Sequence, residues 1–217
     1  MKPIILLLLF ISISCEDYIF KGIDISTYQK TVNWDTVAEN NHFVIIRAGY
    51  GLGHIDKMYE THYANAKSHG LKVGAYWFAY ATSRSVAQQE ANYAVQALQG
   101  KQFEWPIYYD IEDKSIFNKK AQNDIAKAFC EILEANKFYC GIYSGASHLN
   151  HNFDDEVKSK FTIWVAHWDV DKPKYDGKHG VWQYTVGSEP GVSGRCDKDK
   201  GAIDFEPIMK ENGLNGF

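Results

Sequence analysis

Apolar and polar positions along this 217-residue chain fall into two alternating periods. Short runs rich in β-branched and aromatic residues read as strands: FKGIDIS (20–26), HFVIIRAGYG (42–51), LKVGAYWFAYA (71–81), EWPIYYDIE (104–112), YCGIYSG (139–145), TIWVAHWD (162–169), VWQYTV (181–186) and AIDFEPI (202–208). Between the earlier ones lie segments of helical period. NWDTVAENN (33–41) has Asn33 as an N-cap, and MYETHYANAKSHG (58–70) is closed by Gly70. SVAQQEANYAVQALQG opens on a capping box from Ser85 to Gln88. NKKAQNDIAKAFCEILEANK (118–137) carries Ile125, Ala128, Phe129, Ile132 and Leu133 on one stripe. A polar loop or helix covers 147–160.

Strand–helix units with apolar strands predict a parallel sheet covered by helices. About eight strands in this length point to an α/β fold, a single-domain, irregular TIM-like (β/α) barrel. The irregularity falls at the end, where the last three strands have little helix between them. A doubly wound open sheet is the alternative, but no GxGxxG or Walker A motif marks a nucleotide site.

The N-terminus changes the picture of where the protein acts. Lys2 precedes an apolar run, Ile4 to Ile13, with small residues Ser12 and Ser14 following. That is the layout of a secretory signal peptide, expected over 1–15, which leaves 16–217 as the domain. The run is too short to span a bilayer comfortably. The expected destination is the outside of the cell or an endolysosomal or phagosomal lumen. Secretion permits disulfides among Cys15, Cys130, Cys140 and Cys196, and without a CxxC pair a zinc site is not expected. The formal charge of −4 becomes −5 once Lys2 is removed. With no basic run, nucleic acid is not an expected partner. Protonating all eight His would make the chain net positive, strengthening attraction to anionic bacterial walls in acid.

Candidate chemistry lies at the predicted strand ends, where active sites of parallel barrels are found. The first strand brings Asp24, the fourth Asp110 and Glu112, and the last Asp204. Side chains alternate along a strand, so Asp110 and Glu112 face the same way, about 6.6 Å apart along the chain. Such a pair suits general acid catalysis at a glycosidic bond. Crowding in an apolar pocket raises carboxyl pKa values. Glu112, with the longer reach and nearest the tip, is the expected acid. Asp110, Asp24 and Asp204 would stabilise positive charge in the transition state, or orient water or a substrate acetamido group. Tyr76, Phe78 and Tyr80 share one face of the third strand and offer a sugar platform. Arg47 would offset the acids or bind substrate.

The motifs GIDIS, FVIIRAGYG, GLKVGAYWFAY, PIYYDIE, GIYSG, WVAHW, WQYT and IDF, in this order over residues 20 to about 208, resemble the Chalaropsis-type lysozymes, glycoside hydrolase family 25. The resemblance implies an irregular (β/α) barrel that cleaves the β-1,4 bond between N-acetylmuramic acid and N-acetylglucosamine in peptidoglycan. It implies Glu112 as proton donor, with Asp24, Asp110 and Asp204 completing the acidic cluster. It also implies a groove lined by Tyr76, Phe78, Tyr143, Trp168 and Gln183. No metal or organic cofactor is implied, and the chain is expected to act as a monomer. His167 and Trp168 stand where a Gln–Tyr pair is common, and Glu206 where small or amide residues are usual. Two other readings remain: a lysozyme-like protein that binds peptidoglycan or chitin without cutting it, and a barrel hydrolase acting on chitin. The intact acids argue against the first. The lack of a longer acidic repeat before Glu112 argues against the second.

Overall fold

The computed structural model describes residues 18–112 and 119–217; the expected leader, Cys15 included, lies outside the described residues. Nine strands are described: β1 (Phe20–Ile25), β2 (Phe43–Tyr50), β3 (His54–Ile55), β4 (Lys72–Phe78), β5 (Ile107–Asp110), β6 (Cys140–Gly145), β7 (Thr162–Ala166), β8 (Val181–Ser188) and β9 (Arg195–Gly201). Seven helices accompany them: α1 (Trp34–Asn40), α2 (Tyr59–Ser68), α3 (Arg84–Leu98), α4 (Lys119–Ala135), α5 (Ala146–Asn152), α6 (Asp155–Lys160) and α7 (Phe205–Asn212).

The sheet closes on itself. From β1 the order runs through β9, β8, β7, β6, β5, β4 and β2, and β1 pairs with β2 to complete an eight-stranded barrel. β3 hangs on β2 as a short antiparallel hairpin outside the ring. All barrel pairings are parallel except those of β9, which runs antiparallel to both β8 and β1. Closure rules out the open doubly wound sheet.

Alternation along the strands builds two cores. Ile23, Val44, Ile46, Val73, Trp77, Ile107, Tyr109, Ile142 and Val165 face the helices. Tyr109, for example, stacks on Phe129 of α4 with ring centroids 3.8 Å apart. Phe43, Ile45, Tyr76, Tyr108, Tyr143, Trp164 and Val181 belong to the second core, inside the barrel. Inward glycines leave room for these rings: a Cβ on Gly22 would sit 2.4 Å from the Phe43 ring, and one on Gly141 2.5 Å from Tyr108. Trp105 stacks on Phe43 at 3.7 Å and meets Phe205 edge-on at 5.2 Å, plugging the end of the barrel where the parallel strands begin.

Local expectations differ from the structure at the cap of α3 and at the final strand, while the segment expected as a polar loop or helix is helical. Helix α3 is capped by Ser83, whose side chain accepts from the Val86 amide, and not by Ser85. The 147–160 segment resolves into two short helices, α5 and α6. The expected final strand over 202–208 does not exist. Asp204 is the N-cap of helix α7, accepting from the Glu206 amide, and the eighth barrel strand is the highly charged segment RCDKDKG. An aspartate followed two residues later by Glu206 and then Pro207 is a helix-start pattern, since early positions need no internal amide donor.

A Cys130–Cys140 disulfide ties α4 to the start of β6, and Cys196 is a buried free thiol. Among the described residues, no helix is long and apolar enough to cross a membrane.

Candidate active site

A groove of ≈ 780 Å³ opens at the C-terminal ends of the parallel strands. Its walls include Asp24 from β1, Arg47 from β2, Tyr76 and Phe78 from β4, Asp110 and Glu112 at the end of β5, Tyr143 from β6 and Gln183 from β8, with Trp168 beyond β7. Strand register explains part of the grouping. Phe78, Asp110, Tyr143 and Trp164 are successive partners across β4, β5, β6 and β7, so their side chains stand in one row on the inner face.

Asp204 is not in this groove. It pairs with Lys72 at 2.9 Å, and Lys72 opens β4 whereas Phe78 closes it. Six residue steps put Asp204 about 20 Å from the groove end of that strand. Its place among the acids is taken by Asp197, which lines the groove. Because β9 runs antiparallel, its beginning meets the groove end of β1, and Asp197 is the direct partner of Asp24. Asp199, two residues on and on the same face, is fully buried below and accepts from Trp164 Nε1 at 2.8 Å.

Burial dominates the electrostatics. Asp110 is buried, and desolvation, with the Glu112 charge adding to it, pushes its pKa well above the usual carboxylate range while Arg47 pulls it down. Asp110 Oδ1 has no hydrogen-bond partner among the described residues. Asp24 is raised by desolvation and by Asp199 and Asp197, against a lowering hydrogen bond from Gln183. Asp199 is pushed up to about 8, chiefly by burial. Glu112 stands at the exposed surface of the groove. Burial therefore falls on Asp110, while Glu112 stands toward solvent.

Gln183 organises the other side. Its Oε1 accepts from Tyr143 Oη at 2.9 Å and from Trp168 Nε1 at 2.8 Å, while its Nε2 donates to Asp24 Oδ2 at 2.8 Å. Two donors on one oxygen fix the amide orientation, so its N–H group is aimed at Asp24. Trp168 remains 48% exposed, its ring available to a ligand.

Arg47 is held by buried Asp56, Nε to Oδ2 at 2.7 Å, and its guanidinium lies over the rings of Tyr28 and Tyr50 at 5.3 and 5.6 Å. Asp56 also accepts from the Thr27 and Met58 amides, which locks it in place. Sequence reasoning did not single out Asp56, Asp197, Asp199, Trp164 or Tyr28. A signal existed for two of them: in CDKD, Asp197 and Asp199 have the same two-residue spacing as Asp110 and Glu112. Their strand was hidden by its charge, since RCDKDKG carries none of the usual strand formers.

Two of the eight histidines are also less available than composition implied. Burial lowers His62, and pushes His148 down to about 4. The charge swing in mild acid is correspondingly smaller. Among the described residues, no group of three or more His, Cys, Asp or Glu could hold a metal ion.

Comparison with known proteins agrees with this architecture. The chain is 28% identical to the autolytic lysozyme of Clostridium acetobutylicum over 83% of its own length, but spans only 55% of that relative. It is 28% identical to lysozyme M1 of Streptomyces globisporus, covering 83% of this chain and 67% of the other. The crystal structure of a bacterial lysozyme from Streptomyces coelicolor superposes with a TM-score of 0.76 at 26% identity, covering 89% of this chain and 96% of that one. The sequence profile of glycosyl hydrolases family 25 matches residues 23–192, ending just before β9. With the profile spanning most of the chain, and the barrel and its acid-lined groove in place, the chain belongs to glycosyl hydrolases family 25.

Proposed function

We propose that this protein is a secreted lysozyme, an N-acetylmuramidase that hydrolyses the β-1,4 bond between N-acetylmuramic acid and N-acetylglucosamine in bacterial peptidoglycan. The observation that carries this reading is the pair at the end of β5. Asp110 is buried in the groove floor and Glu112 stands at its surface, with Asp24 and Asp197 opposite one another on the adjoining wall. Membership of the family and the lysozyme relatives support the reaction class.

In this mechanism Glu112 is the general acid that protonates the glycosidic oxygen. A saccharide lying over Glu112 removes it from water, the condition under which a carboxyl keeps its proton. Asp110 lies behind it with Oδ1 unpartnered among the described residues, ready to accept from the substrate's acetamido N–H or from the attacking water. Asp24, whose orientation Gln183 fixes, faces the developing oxocarbenium ion, and the positive charge appearing there favours the ionised form of this buried carboxyl. The Trp168 ring and Phe78 supply apolar faces for sugar stacking. The reading includes the leader expected over 1–15, export to the cell exterior or an endolysosomal lumen, where bacterial walls are met, and action as a monomer.

The test is release of reducing ends and loss of turbidity from purified bacterial walls by wild type and Glu112→Gln. The expected loss is about 10²–10⁴-fold. Equal clearing by both would remove Glu112 from the acid role. Wall binding without clearing by wild type would favour a binding protein instead.

A further inference from the structure

The groove is electrically lopsided. Four of its acids, Asp24, Asp110, Glu112 and Asp197, come from β1, β9 and the end of β5, and a fifth, Asp56, sits beside Arg47. Its three cations, Lys30, Arg47 and Lys57, come from the loop after β1, the end of β2 and the turn after β3. Lys30 and Lys57 are exposed on the rim, whereas Arg47 is sunk in the wall with its side chain only 13% exposed.

Arg47 is built as a receptor. Asp56 holds one edge through Nε, and the rings of Tyr28 and Tyr50 bracket the guanidinium. Among the described residues, Asp56 is the hydrogen-bond acceptor that Arg47 engages, and it does so through Nε. No hydrogen bond of the terminal N–H groups is found among the described residues, and Arg47 lines the groove. A guanidinium with one edge anchored and another free is preorganised for a carboxylate.

We propose that Arg47, backed by Lys30 and Lys57, is a binding site for a carboxylate carried by the glycan. The inference rests on the muramidase reading and narrows it to acidic glycans. In peptidoglycan such a carboxylate comes from the lactyl ether of N-acetylmuramic acid or from the peptide stem attached to it. Neutral N-acetylglucosamine polymers have none, so the site would discriminate wall from chitin. Asp110 is near enough for Arg47 to lower its pKa, and an anion bound at Arg47 would weaken that pull and favour the protonated carboxyl.

The experiment measures calorimetric binding to the Glu112→Gln protein, which holds substrate without turning it over. Three soluble glycan preparations are compared: peptide-free strands, the same strands with the lactyl carboxyl reduced to an alcohol, and peptide-bearing strands. Peptide-free strands are expected to bind roughly 10-fold tighter than reduced ones, the scale of one charge-assisted hydrogen-bonded pair. Adding Arg47→Met should bring that ratio close to one, and Arg47→Lys should leave an intermediate value. Added salt should erode the ratio without any substitution, so the site stays testable if Arg47→Met unfolds. Tight binding of peptide-bearing strands would assign the carboxylate to the stem, and weak binding would assign it to the lactyl group. Equal binding of the peptide-free, reduced and peptide-bearing strands, or ratios to the reduced strands that are indifferent to Arg47→Met and to salt, would overturn the proposal. Failure of the muramidase reading shows separately, as absence of reducing ends when wild type is given the same strands.

Discussion

Asp24 and Asp197 are direct partners across the antiparallel seam that closes the barrel, so two carboxylates from opposite ends of the chain share one face of the groove. Arg195 lowers Asp197, but desolvation dominates and raises it.

This pairing separates two aspartates that the sequence alone does not distinguish. Asp197→Asn is expected to lower wall hydrolysis by roughly 10- to 100-fold, the scale of 1–3 kcal/mol of lost electrostatic interaction. Asp204→Asn should leave hydrolysis close to wild type. It should lower stability by under about 1 kcal/mol, because Asn still caps a helix and the Lys72 pair is partly exposed. Initial rates on walls, with thermal unfolding of both variants, check this; the opposite ranking would return Asp204 to the reaction.

Gln183 couples three groups, so removing it affects all of them. Gln183→Leu leaves Asp24 Oδ2, Tyr143 Oη and Trp168 Nε1 without their shared partner. Stability is expected to fall by about 1–3 kcal/mol for the buried partners, and activity by at least about 10-fold as Asp24 loses its orientation. Urea denaturation and steady-state rates report the two effects independently.

Stability should decline as pH rises from about 6.5 to 8. Burial pushes Glu90 up to about 7 and Asp199 up to about 8. Each holds its proton to higher pH when folded than when unfolded, so acid favours the folded state across that window. His62 and His148 act in the opposite direction, because burial lowers both, but their effect ends near pH ~6.5, where the unfolded residues lose their protons. The net loss from pH 6.5 to 8 is expected to be on the order of 2 kcal/mol. Denaturant titrations at fixed ionic strength measure it, and Asp199→Asn should flatten the slope. A rise in stability over that interval would contradict the burial of these acids.

The Cys130–Cys140 bridge closes a short loop, with a sequence separation of 10 residues. Chain-entropy arguments give about 3 kcal/mol for a loop of that size. The Cys130→Ala/Cys140→Ala double variant should lose stability on that scale, measured by chemical denaturation under non-reducing conditions, while Cys196→Ala should leave thiol-dependent stability unchanged.

Much of the molecule is written locally. Alternation in GIDIS, VIIRAGY and AYWFAY sorts each strand into a helix-facing and a barrel-facing side. The two-residue step from Asp110 to Glu112 needs only strand geometry to put both acids on one face. Asn33 caps α1 as its position foretells, through a 3.2 Å bond from the Thr36 amide. These features depend on neighbours in sequence and on burial of apolar stripes, so they can be read from the chain. What tertiary structure decided is how the barrel closes. RCDKDKG looks like a loop by composition and becomes a strand because β1 and β8 both offer it backbone partners. Its antiparallel direction delivers Asp197 to the groove by the strand's beginning, while Asp204, beyond its end, falls at the opposite mouth of the barrel. The burial that raises Asp110, and the anchoring of Arg47 by Asp56, likewise follow from packing between elements distant in sequence. Residue types and their period were local facts. Strand direction, and with it the membership of the acid cluster, came from pairing energies that only the closed sheet supplies.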